Sequence, residues 1–251
     1  MRVEAELAYL QQIDPHDPET LLQSGEVMHI CVGTNPYTAM LSSIYSIGGE
    51  GAVLGWDISP EVLEYNGKIS QDEEYDLDRR RMWHEEIMAA AAELSVEPAF
   101  QRLDITSDLF AKAEQSTRTQ LRVGRGSADD LPLCTFKRVF MHFGVEATVD
   151  SRTEYITRMR HVAKSLHGMQ ARLIMVVTER SKALWPGGKR KQFSAFSSDR
   201  RGFELALLDC GLQIEHIEQV DADLPDEQKL RAGENFVLIV AKLRPEAAVH
   251  P

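Results

Sequence analysis

The sequence predicts an α/β fold with a mostly parallel sheet, and the segment around residues 27–66 carries the prediction. An apolar run at residues 27–32 breaks at a tight turn that begins with Gly33. A helical segment follows, and a second apolar run, residues 52–56, ends on Asp57. This order of strand, turn, helix, strand and acid is typical of the βαβ unit that binds a nucleoside at the carboxyl ends of parallel strands.

Length and composition allow one acidic α/β domain. The 251 residues are 43% hydrophobic, which is enough for a sizeable core. The net charge of -11 disfavours nucleic acid as a partner, because phosphates need a basic face. No run approaches the roughly 18 apolar residues that cross a bilayer, and the first residues are too acidic for a signal peptide. We therefore expect a cytoplasmic protein that binds neither nucleic acid nor membranes.

The cysteines and histidines give no metal-binding pattern. Cys31, Cys134 and Cys210 are odd in number, far apart, and in or beside apolar segments. Buried free thiols in a reducing compartment explain them better than disulfides do. The sequence has no His-x-x-x-His and no paired cysteines, so we expect no metal.

The chain is expected to have an N-terminal helical cap at residues 1–25, and one α/β domain at residues 26–251. A helical insertion is expected at about residues 70–118, beginning with a highly charged stretch. The apolar positions of this insertion lie on one face of a helix. They are Trp83, Ile87, Ala91 and Leu94.

Strand and helix signals alternate through the rest of the domain. Ser59 and Pro60 predict a helix start, because serine caps helices and proline fits their first turn. The helix predicted at residues 203–210 ends at Gly211, a residue typical of helix C-termini. One further helix should place Tyr155, Met159, Val162 and Leu166 on one face. Strands are predicted at residues 121–123, 136–143, 171–178, 212–220 and 235–243.

The last two of these strands are expected to pair antiparallel at a sheet edge, the usual arrangement of consecutive strands joined by a turn or a short loop. Residues 235–243 are almost continuously apolar. Such a run is typical of a strand that is covered on both faces.

Three segments of the chain resemble the class I S-adenosylmethionine-dependent methyltransferases. Residues 55–63, Gly-Trp-Asp-Ile-Ser-Pro-Glu-Val-Leu, are similar to the second-strand motif in which an acid binds the ribose. Residues 126–133, Gly-Ser-Ala-Asp-Asp-Leu-Pro-Leu, are similar to the loop on the adenine side. Residues 136–145 look like the fourth strand, whose end faces the methyl donor and the acceptor. The resemblance covers roughly residues 27–243, without the insertion.

This resemblance implies a Rossmann-like fold: a seven-stranded, mostly parallel sheet with an antiparallel last strand and helices on both faces. It implies S-adenosylmethionine as the cofactor and methyl transfer to oxygen or nitrogen of a small-molecule acceptor. The glycine-rich loop of the family is altered, because only one glycine is retained. The residues implied to bind the cofactor are Gly33, Thr34, Asn35, Asp57, Ile58, Ser127, Ala128 and His142.

His142 is also the first candidate for catalysis. A neutral imidazole at the end of the fourth strand could take a proton from an attacking hydroxyl or amine. A purely structural histidine that packs against the core or the cofactor explains the position equally well. His84, on the inserted helices, is a second catalytic candidate. Residues expected to contact the substrate are Tyr37, Trp83 and Glu179.

Two alternatives stay open. The turn that begins Gly33-Thr34-Asn35-Pro36 also resembles that of nicotianamine-synthase-like enzymes, which transfer the aminocarboxypropyl arm of S-adenosylmethionine. The single retained glycine also allows a non-catalytic binding protein with a methyltransferase fold. The sequence leaves the oligomeric state open, with a homodimer as one option.

Overall fold

The structure is a computed structural model, and it describes part of the chain. The described residues are 26–30, 51–57, 61, 64–65, 104–105, 119–125, 131, 133–180, 183–184, 196–220, 231–232 and 235–245. The chain divides into two compact units. The first consists of Leu7–Ser127, and the second of Ala128–Pro251 together with Met1–Glu6.

The first unit contains parallel strands. They are β1 (Val27–Ile30), β2 (Gly51–Asp57), β3 (Asp104–Ile105) and β4 (Thr119–Arg125), in the order β3-β4-β2-β1. All three strand pairs are parallel. Every residue of β1 is buried, as its apolar sequence predicts. The strands of the predicted βαβ unit are therefore confirmed, whereas the helix predicted between them lies outside the described residues.

Strand β3 was not predicted, and it lies inside the range expected to be a helical insertion. Asp104 is the register partner of Arg122, and Ile105 that of Val123. A strand of two residues is too short to show a period of two, so the sequence carries no signal for it. The other residues of the predicted insertion, and the predicted cap at residues 1–25, lie outside the described part of the chain.

The second unit contains the antiparallel end. Its strands β5 (Arg138–His142), β6 (Arg172–Thr178), β8 (Leu212–Val220) and β10 (Phe236–Leu243) follow the order β5-β6-β10-β8. Strand β5 is parallel to β6, and β10 is antiparallel to both β6 and β8. Residues 237–241 of β10 are fully buried, as expected for a strand that is covered on both faces. The predicted antiparallel pairing of the last two strands is confirmed.

The described part of this unit also contains two helices and a short 3₁₀ helix, Val145–Ala147. Helix α1 (Arg152–Ser165) begins where the Ser151 hydroxyl accepts a hydrogen bond from the backbone N–H of Glu154 at 3.2 Å. Its predicted apolar face is buried, including Tyr155, Met159 and Val162.

Helix α2 (Arg200–Asp209) starts earlier than the apolar pattern predicts. The carboxylate of Asp199 accepts a hydrogen bond from the backbone N–H of Gly202 at 2.8 Å and so caps the helix. The helix ends as predicted, because Gly211 follows it with a φ of 81°, a left-handed conformation that favours glycine.

A separate pair of short strands connects two loops of the second unit. Strand β7 (Ala183–Leu184) is antiparallel to β9 (Arg231–Ala232), with Ala183 opposite Ala232. Neither strand was predicted. Both are too short for a sequence pattern.

The cysteine prediction is partly wrong. Cys210 is a buried free thiol, as expected, but the free thiol of Cys134 is exposed. Cys134 lies in the turn before β5, and its φ of 49° places it in the left-handed region. Cys31 lies outside the described residues. Among the helices that the structure describes, none is long and apolar enough to cross a membrane.

The mostly parallel α/β organisation and the antiparallel end of the predicted fold are thus confirmed. The count of seven strands and the helical insertion remain predictions.

Candidate functional site

In the first unit, Asp57 lies at the carboxyl end of strand β2. The strand pairs with β1 on one side and with β4 on the other, and both neighbours are parallel to it. Asp57 is buried, with 8% of its surface exposed. Ligands of open parallel sheets bind at the carboxyl ends of the strands. A buried carboxylate at this point is therefore placed where a nucleoside hydroxyl can donate to it.

Most of the other predicted site residues fall outside the described part of the chain. The structure thus gives no position for Gly33, Thr34, Asn35, Ile58, Ser127 or Ala128 of the cofactor prediction. The same holds for Tyr37, Trp83 and His84. Within the described residues, no group of three or more His, Cys, Asp or Glu side chains could hold a metal ion.

In the second unit, His142 is the last residue of strand β5. Its register partner on the parallel strand β6 is Val176. The ladder continues one residue further, because the backbone N–H of Phe143 donates to the Val176 carbonyl at 2.9 Å. His142 is half-buried, and its Nε2 atom is enclosed. The imidazole therefore lies at the carboxyl end of the strand, as the sequence predicts.

The backbone turns sharply after β5 and also after β6. Phe143 has a φ of 52°, and Arg180, two residues after β6, has a φ of 48°. Left-handed conformations are costly for residues with a side chain, by about 1–3 kcal/mol each, and cluster at functional sites. Two neighbouring parallel strands thus end in strained turns, which marks this edge as a candidate site.

Two aromatic rings lie at the same edge. The ring centroids of Phe143 and Phe236 are 5.2 Å apart with a tilt of 57°. Both residues are half-buried. Phe236 is the register partner of Thr178, the last residue of β6. None of these three residues was predicted for the site, although the polar Thr178 that ends an apolar run was an available signal.

Glu179 follows β6, and its carboxylate is held by the protein itself. One oxygen accepts a 2.7 Å hydrogen bond from the backbone N–H of Arg200, and the other accepts a long one, 3.5 Å, from the Asn235 amide. The backbone N–H of Glu179 donates to the Asn235 carbonyl at 2.8 Å. The predicted contact of Glu179 with a substrate remains a prediction.

A buried tyrosine lies behind the 3₁₀ helix. Tyr155 is fully buried, stacked on Phe196 with ring centroids 4.6 Å apart. Burial raises the pKa of the Tyr155 phenol well above its ordinary value, and the charges of Glu146 and Cys210 raise it further. The phenol therefore stays protonated at neutral pH and cannot serve as a base.

Solved structures share this fold. A methyltransferase from Methanosarcina mazei matches with a TM-score of 0.54 and 15% identity, covering 92% of this chain and 98% of its own. A methyltransferase from Leishmania major matches with a TM-score of 0.53 and 9% identity, and the match covers 96% of this chain and 72% of its own. Magnesium protoporphyrin IX methyltransferase from Synechocystis, with bound S-adenosylhomocysteine (SAH), matches with a TM-score of 0.50 and 13% identity. The match covers 97% of this chain and 81% of its own.

These similarities extend over nearly the whole chain, at sequence identities too low to carry more than the fold. No protein-family model matches the sequence, and no curated protein matches it either. The parallel strands with their antiparallel end agree with the matched structures. The chain has the Rossmann-like fold of the class I S-adenosylmethionine-dependent methyltransferases.

Proposed function

We propose that this protein transfers a methyl group from S-adenosylmethionine to oxygen or nitrogen of a small-molecule acceptor. The observation that carries the proposal is the buried Asp57 at the carboxyl end of β2, in a chain with a methyltransferase fold. A carboxylate there suits the two ribose hydroxyls of the cofactor, because each of its oxygens can accept a hydrogen bond.

The remaining cofactor contacts of the proposal come from the sequence resemblance. Gly33, Thr34 and Asn35 would bind the cofactor through the loop after β1. Ile58 follows the ribose acid, and Ser127 and Ala128 would lie on the adenine side. Bound SAH in the structurally similar Synechocystis enzyme supports this choice of cofactor.

His142 is the proposed general base. The acceptor loses a proton to the imidazole while its oxygen or nitrogen attacks the methyl carbon. The bond between that carbon and the sulfonium sulfur breaks, and S-adenosylhomocysteine leaves with the electron pair. His142 then releases the proton to solvent. Alignment of the acceptor, methyl carbon and sulfur supplies much of the rate, so one base is sufficient.

The products made from S-adenosylmethionine test this reaction directly. Incubation with a panel of small phenols, amines and amino acids should give S-adenosylhomocysteine and a methylated acceptor. Methylthioadenosine would instead indicate transfer of the aminocarboxypropyl arm and would contradict methyl transfer. Cofactor binding without any turnover on the whole panel would favour the non-catalytic alternative.

A further inference from the structure

Thr178 carries a buried hydroxyl group that no described residue satisfies. The residue is 2% exposed, and its Oγ1 atom has no hydrogen-bond partner within the described part of the chain. Buried polar groups are nearly always hydrogen-bonded, because an unpaired one costs stability. An unpaired hydroxyl at a candidate site therefore points to a ligand that completes it.

Thr178 lies on the same face of the sheet as His142. His142 pairs with Val176, and Thr178 is two residues further along the same strand. Side chains two residues apart in a strand share one face. A strand spacing of about 4.8 Å and a rise of about 3.3 Å per residue put the two Cα atoms about 8 Å apart. One ligand oxygen can bridge side chains at this separation through two hydrogen bonds of about 2.8 Å each.

A pair of aromatic residues lies beside Thr178. Phe236 is directly opposite Thr178 on the adjacent antiparallel strand, so both side chains lie on one face. Phe143 lies against Phe236, with ring centroids 5.2 Å apart. Half-buried rings in a tilted pair leave aromatic surface for a further flat ring. A polar pair, His142 and Thr178, thus lies beside an aromatic pair, Phe143 and Phe236.

We propose that Thr178 binds the methyl acceptor and that the acceptor is a phenol. This inference rests on the proposed function and names the substrate class of the same site. The acceptor ring would pack on Phe143 and Phe236, and the two rings would move to admit it. The phenol O–H would donate to His142, and the Thr178 hydroxyl would donate to the phenol oxygen. As His142 takes the proton, the Thr178 hydroxyl stabilises the charge that develops on the attacking oxygen.

A matched pair of ligands and a matched pair of variants test this inference. The ligands are p-cresol and toluene, which differ by one hydroxyl group, titrated into the SAH-loaded protein. Thr178→Val removes the hydroxyl and keeps the shape, whereas Thr178→Ser keeps the hydroxyl. One hydrogen bond is worth about a five- to tenfold change in affinity. Thr178→Val should lower the affinity for p-cresol by that factor and leave the affinity for toluene unchanged. Thr178→Ser should bind p-cresol with the affinity of the wild type.

The Tm of Thr178→Val distinguishes a ligand-binding role of the hydroxyl from a structural role. If the hydroxyl serves a ligand, Thr178→Val should have a Tm equal to or above that of the wild type, because an unpaired buried hydroxyl is removed. A lower Tm for Thr178→Val with unchanged p-cresol affinity would overturn the inference. Absence of p-cresol binding to a protein that binds SAH would also overturn it, and would leave the proposed function standing.

Failure of SAH to bind would contradict the proposed function. The p-cresol and toluene titrations would then be repeated on the cofactor-free protein. Equal affinities of the wild type and Thr178→Val for p-cresol would there overturn the role of Thr178 as well.

Discussion

The carboxylate of Glu179 accepts a 2.7 Å hydrogen bond from the backbone N–H of Arg200, the first residue of helix α2. The first N–H groups of a helix have no partner within the helix, and its N-terminus carries a partial positive charge. The Glu179 carboxylate, just after strand β6, accepts a hydrogen bond from one of these N–H groups and places a negative charge near the helix N-terminus. Its own N–H donates to Asn235, the residue before β10. One acid therefore connects β6, α2 and the start of β10.

This connection predicts a loss of stability in Glu179→Ala. Removal of an external helix cap should lower the free energy of unfolding by about 1–2 kcal/mol. Glu179→Gln keeps an acceptor oxygen and should lose less. Urea denaturation measures both. Glu204→Ala is the control, because Glu204 forms an exposed ion pair with Arg201 within helix α2, and loss of that pair should cost less than about 1 kcal/mol. Equal losses in Glu179→Ala and Glu204→Ala would contradict the capping role.

The buried thiol of Cys210 should make the folded protein less stable at alkaline pH. Burial raises the pKa of its thiol from an ordinary value of 9.0 to about 12, with a smaller opposing effect from Arg160. The folded protein holds this proton more tightly than the unfolded chain does. The contribution to stability is complete below pH 9 and is lost as the pH rises towards about 12.

In Cys210→Ala the free energy of unfolding should fall less steeply above pH 9 than in the wild type. Urea denaturation between pH 7 and pH 11 gives the two slopes. Parallel curves for the two proteins would contradict the assignment. The absolute stability of Cys210→Ala should be lower at neutral pH, because the thiol is buried and donates to the Ala206 carbonyl at 3.0 Å.

The left-handed conformation of Cys134 predicts a stabilising substitution. Its φ of 49° is costly for a residue with a Cβ atom, and its side chain is exposed. Cys134→Gly should therefore raise the free energy of unfolding by about 0.5–1 kcal/mol, after the greater freedom of glycine in the unfolded chain is deducted. Cys134→Ala keeps the Cβ atom and should be neutral. Loss of stability in the glycine variant would contradict the strained geometry.

Substitution of His142 should lower the rate of methyl transfer selectively. His142→Ala should lower kcat by about 10²–10⁴-fold if the imidazole is the general base. His142→Gln keeps some hydrogen-bonding capacity without basicity and should be similarly slow. The rate of S-adenosylhomocysteine formation with the best acceptor of the panel measures both. His161→Ala, on helix α1, is the control and should keep the wild-type rate. Full activity of His142→Gln would contradict the role as base.

The sequence predicts the elements that have clear periodicity. The apolar run that became β10 and the glycine after α2 each specify their structure locally, through burial on both faces and a left-handed φ. The start of α2 was missed, because the apolar face begins at Phe203 while the Asp199 cap sets the boundary. Short strands such as β3 depend on their partner strand rather than on their own residues.

In each unit, candidate site residues were predictable only where they end a strand in sequence. Asp57 and His142 both close apolar runs, and both lie at the carboxyl ends of their strands. Phe236 reaches the site from the antiparallel strand β10, whose start meets the end of β6. No local sequence pattern indicates that β10 starts beside the end of β6, because this arrangement depends on the strand order of the sheet. The left-handed turn at Phe143 likewise has no signal in the sequence.

A calorimetric titration with S-adenosylmethionine measures whether Asp57 binds the cofactor of the proposed reaction. The wild type should bind the cofactor, and Asp57→Asn should bind it about 10- to 100-fold more weakly, because charged hydrogen bonds to the ribose are lost. Asp150→Asn, at an exposed acid, controls for the change of charge and should bind like the wild type. Unchanged affinity in a folded Asp57→Asn would contradict the ribose-binding role of Asp57, and no binding by the wild type at millimolar cofactor would contradict methyl transfer from S-adenosylmethionine.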